Sequence, residues 1–109
     1  MSSHVTSGPV TFLNVIDVDP SRQLEVIELL AEGVERVMTG RPGFLSATIL
    51  ASADGGRVVN VARWRAAEDV RATQADPAAA AYARRTAAIG SASPGLYLPV
   101  GEFTATLRP

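Results

Sequence analysis

Apolar and polar positions along the chain fall into segments of distinct period. Val10–Val18 is a run rich in β-branched residues, with Val10, Phe12 and Ile16 on one face and Leu13 and Val15 on the other. Strand side chains alternate faces, so this first strand is expected to be covered on both sides. Asp19-Pro20 then supplies an N-cap followed by proline at the first helical position. Leu24, Ile27, Leu30, Val34, Val37 and Met38 recur at helical spacing until Gly40 closes the helix. Glu25, Glu28, Glu32, Glu35 and Arg36 fill the remaining arc as a solvated face.

Pro42-Gly43 reads as a turn into a second strand, Phe44–Ser52, with Phe44, Ser46, Thr48 and Leu50 on one face and Leu45, Ala47, Ile49 and Ala51 on the other. Asp54-Gly55-Gly56 closes a hairpin onto Arg57–Arg65. Ala66–Gln74 and Pro77–Ile89 are predicted helices, Gly90–Gly95 a loop, and Leu96–Leu107 a last strand that Pro99 and Gly101 confine to an edge. The order strand, helix, strand, strand, helix, strand predicts an α+β, ferredoxin-like split βαβ domain, an antiparallel sheet with helices on one face. The other face would hold Leu45, Ala47, Ile49, Ala51, Val59 and Val61, too apolar for a monomer to expose, so a homodimer with sheets packed face to face is expected. Residues 1–9 read as a disordered leader and 10–109 as a single domain.

Within the third strand, Val58, Asn60, Ala62 and Trp64 share one face, and Asn60 lies ~13 Å from Trp64 along it. A buried carboxamide costs on the order of 1–3 kcal/mol when its amide has no partner. Asn60 among valines therefore asks for a structural hydrogen bond or a ligand, and the nearby indole favours a small-molecule pocket. Asn14, on the face of Phe12 and Ile16, is either a second amide for that pocket or a partner of neighbouring backbone.

Composition narrows the chemistry. Of 109 residues 47% are hydrophobic while the formal net charge is −1, so the chain has no broad attraction for nucleic acid or anionic lipid. There is no cysteine, the basic residues are all arginine, and the one histidine, His4, lies in the leader. Thiolate nucleophiles, Schiff bases on lysine and histidine-rich metal sites are thereby excluded. No apolar stretch is long enough to span a membrane and no signal-peptide pattern is present, which points to the cytoplasm.

Pro42-Gly43-Phe44-Leu45-Ser46-Ala47-Thr48, followed by Val59-Asn60-x-Ala62-x-Trp64, resembles the antibiotic biosynthesis monooxygenase superfamily of dimeric α/β barrels. Within it, the likeness is to the cofactor-independent oxygenases that form quinones on aromatic polyketides. The resemblance, over residues 10 to 105, implies a monooxygenase that uses molecular oxygen on an anthrone-like or naphthol-like substrate with no cofactor and no metal. It implies Asn60 and Trp64 as catalytic residues in a pocket between sheet and helices. The relatives' helical arginine falls at Ala83, which leaves Arg84 or Arg85 for its role. Phe12, Leu30, Val34, Phe44, Tyr82 and Ile89 would line the pocket with Asn14, each with an alternative as plain core. This chain has Ile49 and Val70 where such relatives carry aromatic residues, including a tyrosine, so Tyr82 or Tyr97 would have to substitute. Two alternatives remain: a non-catalytic polyketide-binding or cyclase-like member of the same fold, and a monooxygenase of small quinols.

Overall fold

A computed structural model describes residues 8–107, so most of the expected leader lies outside the described residues, as do Arg108 and Pro109. The chain runs β1 (Val10–Asp17), α1 (Gln23–Arg36), β2 (Phe44–Ala51), β3 (Arg57–Trp64), α2 (Ala67–Gln74), α3 (Pro77–Ala87) and β4 (Ser91–Tyr97). The strands form one antiparallel sheet in the order β2-β3-β1-β4, with the helices on one face. This is the ferredoxin-like arrangement expected from the element order. No helix among the described residues is long and apolar enough to cross a membrane.

The entry to α1 follows from Asp19, whose carboxylate accepts from the Ser21 amide at 2.9 Å and the Ser21 hydroxyl at 2.7 Å. That cap holds a short 3-10 turn, Pro20–Arg22, ahead of the α-helix. The buried stripe of α1 is Val26, Leu29 and Gly33, with Ile27 and Leu30 partly covered. Leu24, expected in that stripe, stands 65% exposed; the register of the stripe is set by what packs opposite, which apolar spacing alone does not show. α3 starts on Asp76, which accepts from the Ala78 amide at 2.8 Å, with Pro77 at its first position.

Two expectations are corrected. A β-bulge at Leu45 separates Phe44, opposite Trp64, from Ser46, opposite Arg63. The extra residue reverses the alternation, so Ala47 and Ile49 turn inward with Phe44 and pack on the core, and Ser46, Thr48 and Leu50 take the outer face. The outer face thus keeps Val59 and Val61 but not Ala47, Ile49 or Ala51. The last strand also lies earlier than Leu96–Leu107: β4 spans Ser91–Tyr97, antiparallel to β1, and residues 98–107 have no regular structure. Ser91, Ala92, Ser93 and Pro94 carry no strand periodicity, yet β1 offers them a free edge, and an edge strand tolerates a proline.

Buried side chains gather at the two ends of the sheet. Val10, Ala62, Trp64 and Val70 form one core cluster; Ile16, Val18, Val26 and Val58 form the other. The helices are tied across the span between them. The Tyr82 hydroxyl of α3 donates to the Glu32 carboxylate of α1 at 2.6 Å, so Glu32 belongs to a helix–helix clasp rather than to a purely solvated face. Beside it the Tyr82 ring packs on Gly33, where a Cβ would lie 3.2 Å from the ring. Arg41, before β2, donates to Thr73 and to Asp76, each at 3.1 Å, and so pins the α2–α3 junction to the sheet.

Gly43 carries the turn before β2 at φ +85°, and a Cβ there would run into the Asp69 carboxylate of α2. Gly43→Ala should lose on the order of 2 kcal/mol, read as a lower urea midpoint at unchanged slope. The Tyr82 hydrogen bond, with help from Arg36 and Arg85, holds the Glu32 carboxyl below its ordinary range. A depressed folded value contributes stability that is present above the ordinary glutamate pKa and disappears as pH falls through the lowered one. Wild type should therefore lose stability more steeply than Tyr82→Phe below about pH 4.5, in urea midpoints taken across that range. Parallel profiles would mean that the clasp adds nothing.

Candidate active site

Between the two core clusters, under the helices, lies a cavity of about 450 Å³. Its existence follows from side-chain size. α3 presents Ala79, Ala80 and Ala83 toward it and α1 presents Gly33, so backbone held at helix-on-sheet distance leaves space that larger side chains would fill. The floor is the helix-facing side of the sheet, including Phe12 and Asn14 of β1 and Asn60, Ala62 and Trp64 of β3. Volumes of this size suit small polycyclic or cofactor-like guests.

Within this mostly apolar space three polar atoms stand out. Asn14 Oδ1, Asn60 Oδ1 and Trp64 Nε1 are buried and make no hydrogen bond among the described residues. Asn60 is 8% exposed and Trp64 3%. An orphaned buried polar group is rare in a folded domain, and all three belong to residues that line this cavity. Trp64 is oriented by Phe44, whose ring meets the indole edge-on at 5.3 Å between centroids and 79° between planes. Asn60 is held by the alternation of β3, in which Val58, Asn60, Ala62 and Trp64 are all buried. The expected alternative, an amide satisfied by main-chain groups, is not what the hydrogen bonding shows for its oxygen.

The structure brings Phe12, Asn14, Leu30, Val34 and Phe44 to the cavity, and with them Asn60, Trp64, Tyr82 and Arg84. Two residues expected there lie elsewhere. Arg85 sits over the outer side of Tyr82, 5.3 Å from the ring centroid, and 3.8 Å from Glu32; one residue along a helix turns a side chain by about 100°, which separates it from Arg84. Ile89 packs into the core cluster of Ile16 and Val58. Arg84 is itself exposed, at the rim of the cavity.

Several lining residues escaped the sequence reading. Thr73 and Thr86 are buried because each hydroxyl bonds the carbonyl four residues back, Asp69 and Tyr82, both at 2.9 Å. Leu29, Met38 and Pro94 complete much of the apolar wall. The alanine run of α3 was the available signal for the space itself.

The phenols are placed unequally. Tyr82 reaches the cavity, but its hydroxyl is committed to Glu32, which raises its pKa above the usual phenol range. Tyr97 pairs with Thr11 on the outer sheet face and is 54% exposed. Ile49 and Val70 are packed against the core. Among the described residues no three His, Cys, Asp or Glu side chains gather as metal ligands would.

The pattern of the antibiotic biosynthesis monooxygenase family matches residues 9–85. Tetracenomycin-F1 monooxygenase of Streptomyces glaucescens is 45% identical over 67 residues, which span 62% of this chain and 60% of that protein. Among solved structures, a monooxygenase from the gene ActVA-Orf6 of Streptomyces coelicolor, in complex with nanaomycin D, is 30% identical with a TM-score of 0.77, covering 93% of this chain and 95% of that one. SnoaB, a cofactor-independent oxygenase from Streptomyces nogalater, is 25% identical with a TM-score of 0.72, covering 90% and 99%. A cavity roofed by small helical residues and floored by an asparagine and a tryptophan of one strand thus sits in a chain that belongs to the antibiotic biosynthesis monooxygenase family.

Proposed function

We propose that this protein is a cofactor-independent monooxygenase that oxidises an aromatic polyketide of anthrone or naphthol type to a quinone with molecular oxygen, acting as a cytoplasmic homodimer. The observation that carries the reading is the mostly apolar cavity lined by Asn60 and Trp64, whose Oδ1 and Nε1 atoms make no hydrogen bond among the described residues. The similarity to polyketide monooxygenases of Streptomyces supports it.

A polyphenolic anthrone is a carbon acid whose enolate is electron-rich enough to reduce oxygen, so the protein need only bind, orient and stabilise the anion. Loss of the ring methylene proton gives the enolate. Its carbon forms a bond to oxygen, and the resulting peroxide, once protonated, loses its second carbon-bound hydrogen and cleaves its O–O bond. Substrate CH₂ and O₂ thus become C=O and H₂O. Asn60 donates an amide N–H to the substrate oxygen that turns anionic, in the manner of an oxyanion-hole donor. Trp64 stacks along the polycycle and donates its indole N–H. Arg84, permanently charged at the rim, supplies positive potential for the enolate.

A second reading rests on a specific observation. Ile49 and Val70 bring no phenol to the cavity, and Tyr82 is tied to Glu32, which suits a protein that holds a polyketide or steers its cyclisation without oxidising it. Dimerisation is supported by the outer sheet face, where Leu13, Val15, Val59, Val61 and Leu50 lie together, and by Val100, Phe103 and Leu107, each more than 90% exposed.

Incubation of the metal-free protein with an anthrone should give oxygen uptake and quinone absorbance above the buffer rate. Ligand-induced quenching of Trp64 fluorescence without turnover would favour the binding protein, and turnover of menadiol in its place a small-quinol monooxygenase. Asn60→Ala should lower the turnover number by about 10²–10³ with a smaller effect on substrate affinity; an unchanged turnover number removes Asn60 from the chemistry. Val61→Glu should convert a dimer to a monomer in light scattering, and a dimer mass that persists would place the interface elsewhere.

A further inference from the structure

Sulfur enters the described residues at one position, Met38, since the chain has no cysteine and its other methionine is Met1. Met38 opens the 3-10 turn Met38–Gly40 just past the end of α1. That turn is fixed by the Arg41 amide, which donates to the Met38 carbonyl at 3.0 Å, and by the Thr39 hydroxyl, which donates to the Glu35 carbonyl at 2.9 Å. The Met38 side chain is half-buried: it lines the cavity and packs against the cluster of Val10, Ala62, Trp64 and Val70. A thioether is soft, polarisable and oxidised by two-electron oxygen donors. Its apolar neighbours in the cavity wall, Leu29, Leu30, Val34 and Phe44, carry no lone pair.

In the oxygenase reading the reacting carbon passes through a hydroperoxide, and a hydroperoxide held in this cavity is an electrophilic oxygen donor confined with one thioether. We propose that Met38 is a modification site of the cavity: its sulfur takes the outer oxygen of an organic hydroperoxide bound there and becomes the sulfoxide, which ends turnover in that molecule. The sulfur lone pair attacks the outer peroxide oxygen, the O–O bond breaks, and the proton on that oxygen passes to the departing alkoxide. C–OOH and thioether thus become C–OH and sulfoxide; sulfur loses two electrons and the peroxide gains them. The guest leaves as an alcohol instead of a quinone. A polar, chiral S=O group then stands in the apolar wall that packs on the Trp64 cluster, where a polycycle has to lie. The proposal rests on the cavity being the substrate site and on the hydroperoxide of the oxygenase reading.

Peptide mass spectrometry of the fragment carrying Met38 tests it in two reactions, each run beside an equal concentration of free N-acetylmethionine amide. In the first, anthrone turns over in air with catalase and superoxide dismutase present to remove oxidants released to solution. In the second, cumene hydroperoxide is added without anthrone. A half-buried methionine that recruits no oxidant reacts more slowly than the free reporter. Met38 should invert that order, gaining one oxygen about tenfold or more faster than the reporter in both reactions, because the cavity holds the peroxide beside it. Activity should fall in step with Met38 sulfoxide. Met38→Leu, a swap that cores tolerate, should complete more turnovers before it stops. A Met38 that lags the reporter during turnover or under cumene hydroperoxide, activity lost while Met38 stays a thioether, or a Met38→Leu enzyme that inactivates as fast as wild type would overturn the proposal. If cumene hydroperoxide marks Met38 first but no anthrone is oxidised, the oxygenase reading alone fails; if anthrone is converted and Met38 stays untouched, only the sulfur site does.

Discussion

The register between β1 and β3 is the constraint on which the rest depends, because it sets Asn14 against Asn60 and turns both inward. Strand faces alternate with a period of two, so a slip of either strand by one residue would send its amide to the outer face and bring aliphatic neighbours in. That slip is opposed from both ends of the sheet. Val10, Ala62 and Trp64 are buried at one end and Ile16 and Val58 at the other, and each set would lose the members carried by the slipped strand. The polar middle of the sheet is thus held in place by apolar ends that do not touch the guest.

Such a middle is costly in isolation. Each buried polar atom without a partner weighs against folding by about 1–3 kcal/mol, and the neighbouring cavity forgoes the dispersion contacts that close packing would give. The chain offsets this with ties around the rim: the Tyr82–Glu32 hydrogen bond between α1 and α3, the Arg41 bridge to Thr73 and Asp76, and the Gln23 amide that donates to the Ser52 and Arg57 carbonyls at 3.1 and 3.0 Å. These are polar contacts at the margins of the domain, where water reaches and apolar packing thins out. Rigidity is placed there so that the centre can remain unfilled.

Much of this was readable from the residues. The alternation of Val58, Asn60, Ala62 and Trp64 gave the right face of β3, Asp19-Pro20 marked a helix start that the structure caps as expected, and Pro77 opens α3 at its first position. What escaped depends on partners distant in sequence. The bulge at Leu45 inverts the inward set of β2, and nothing local distinguishes it from a regular strand. β4 is a strand because β1 has an open edge beside it, not because Ser91–Pro94 prefers one. Arg84 and Arg85 are chemically equal neighbours, and only the packing of Tyr82 on α1 sends the second toward Glu32. The cavity was hidden in plain composition: a run of alanines signals helix before it signals room.

The contact of Tyr82 with Gly33 has one more implication. Because an aromatic ring packs against a helix glycine there, the spacing between the two roof helices is set by that contact, with no side chain at Gly33 left to trim. Within that fixed spacing, the methyl groups of Ala79, Ala80 and Ala83 are the part of the roof where a bulkier or slimmer guest is most simply accommodated, so the gauge of this chamber is written largely in the smallest side chains that line it.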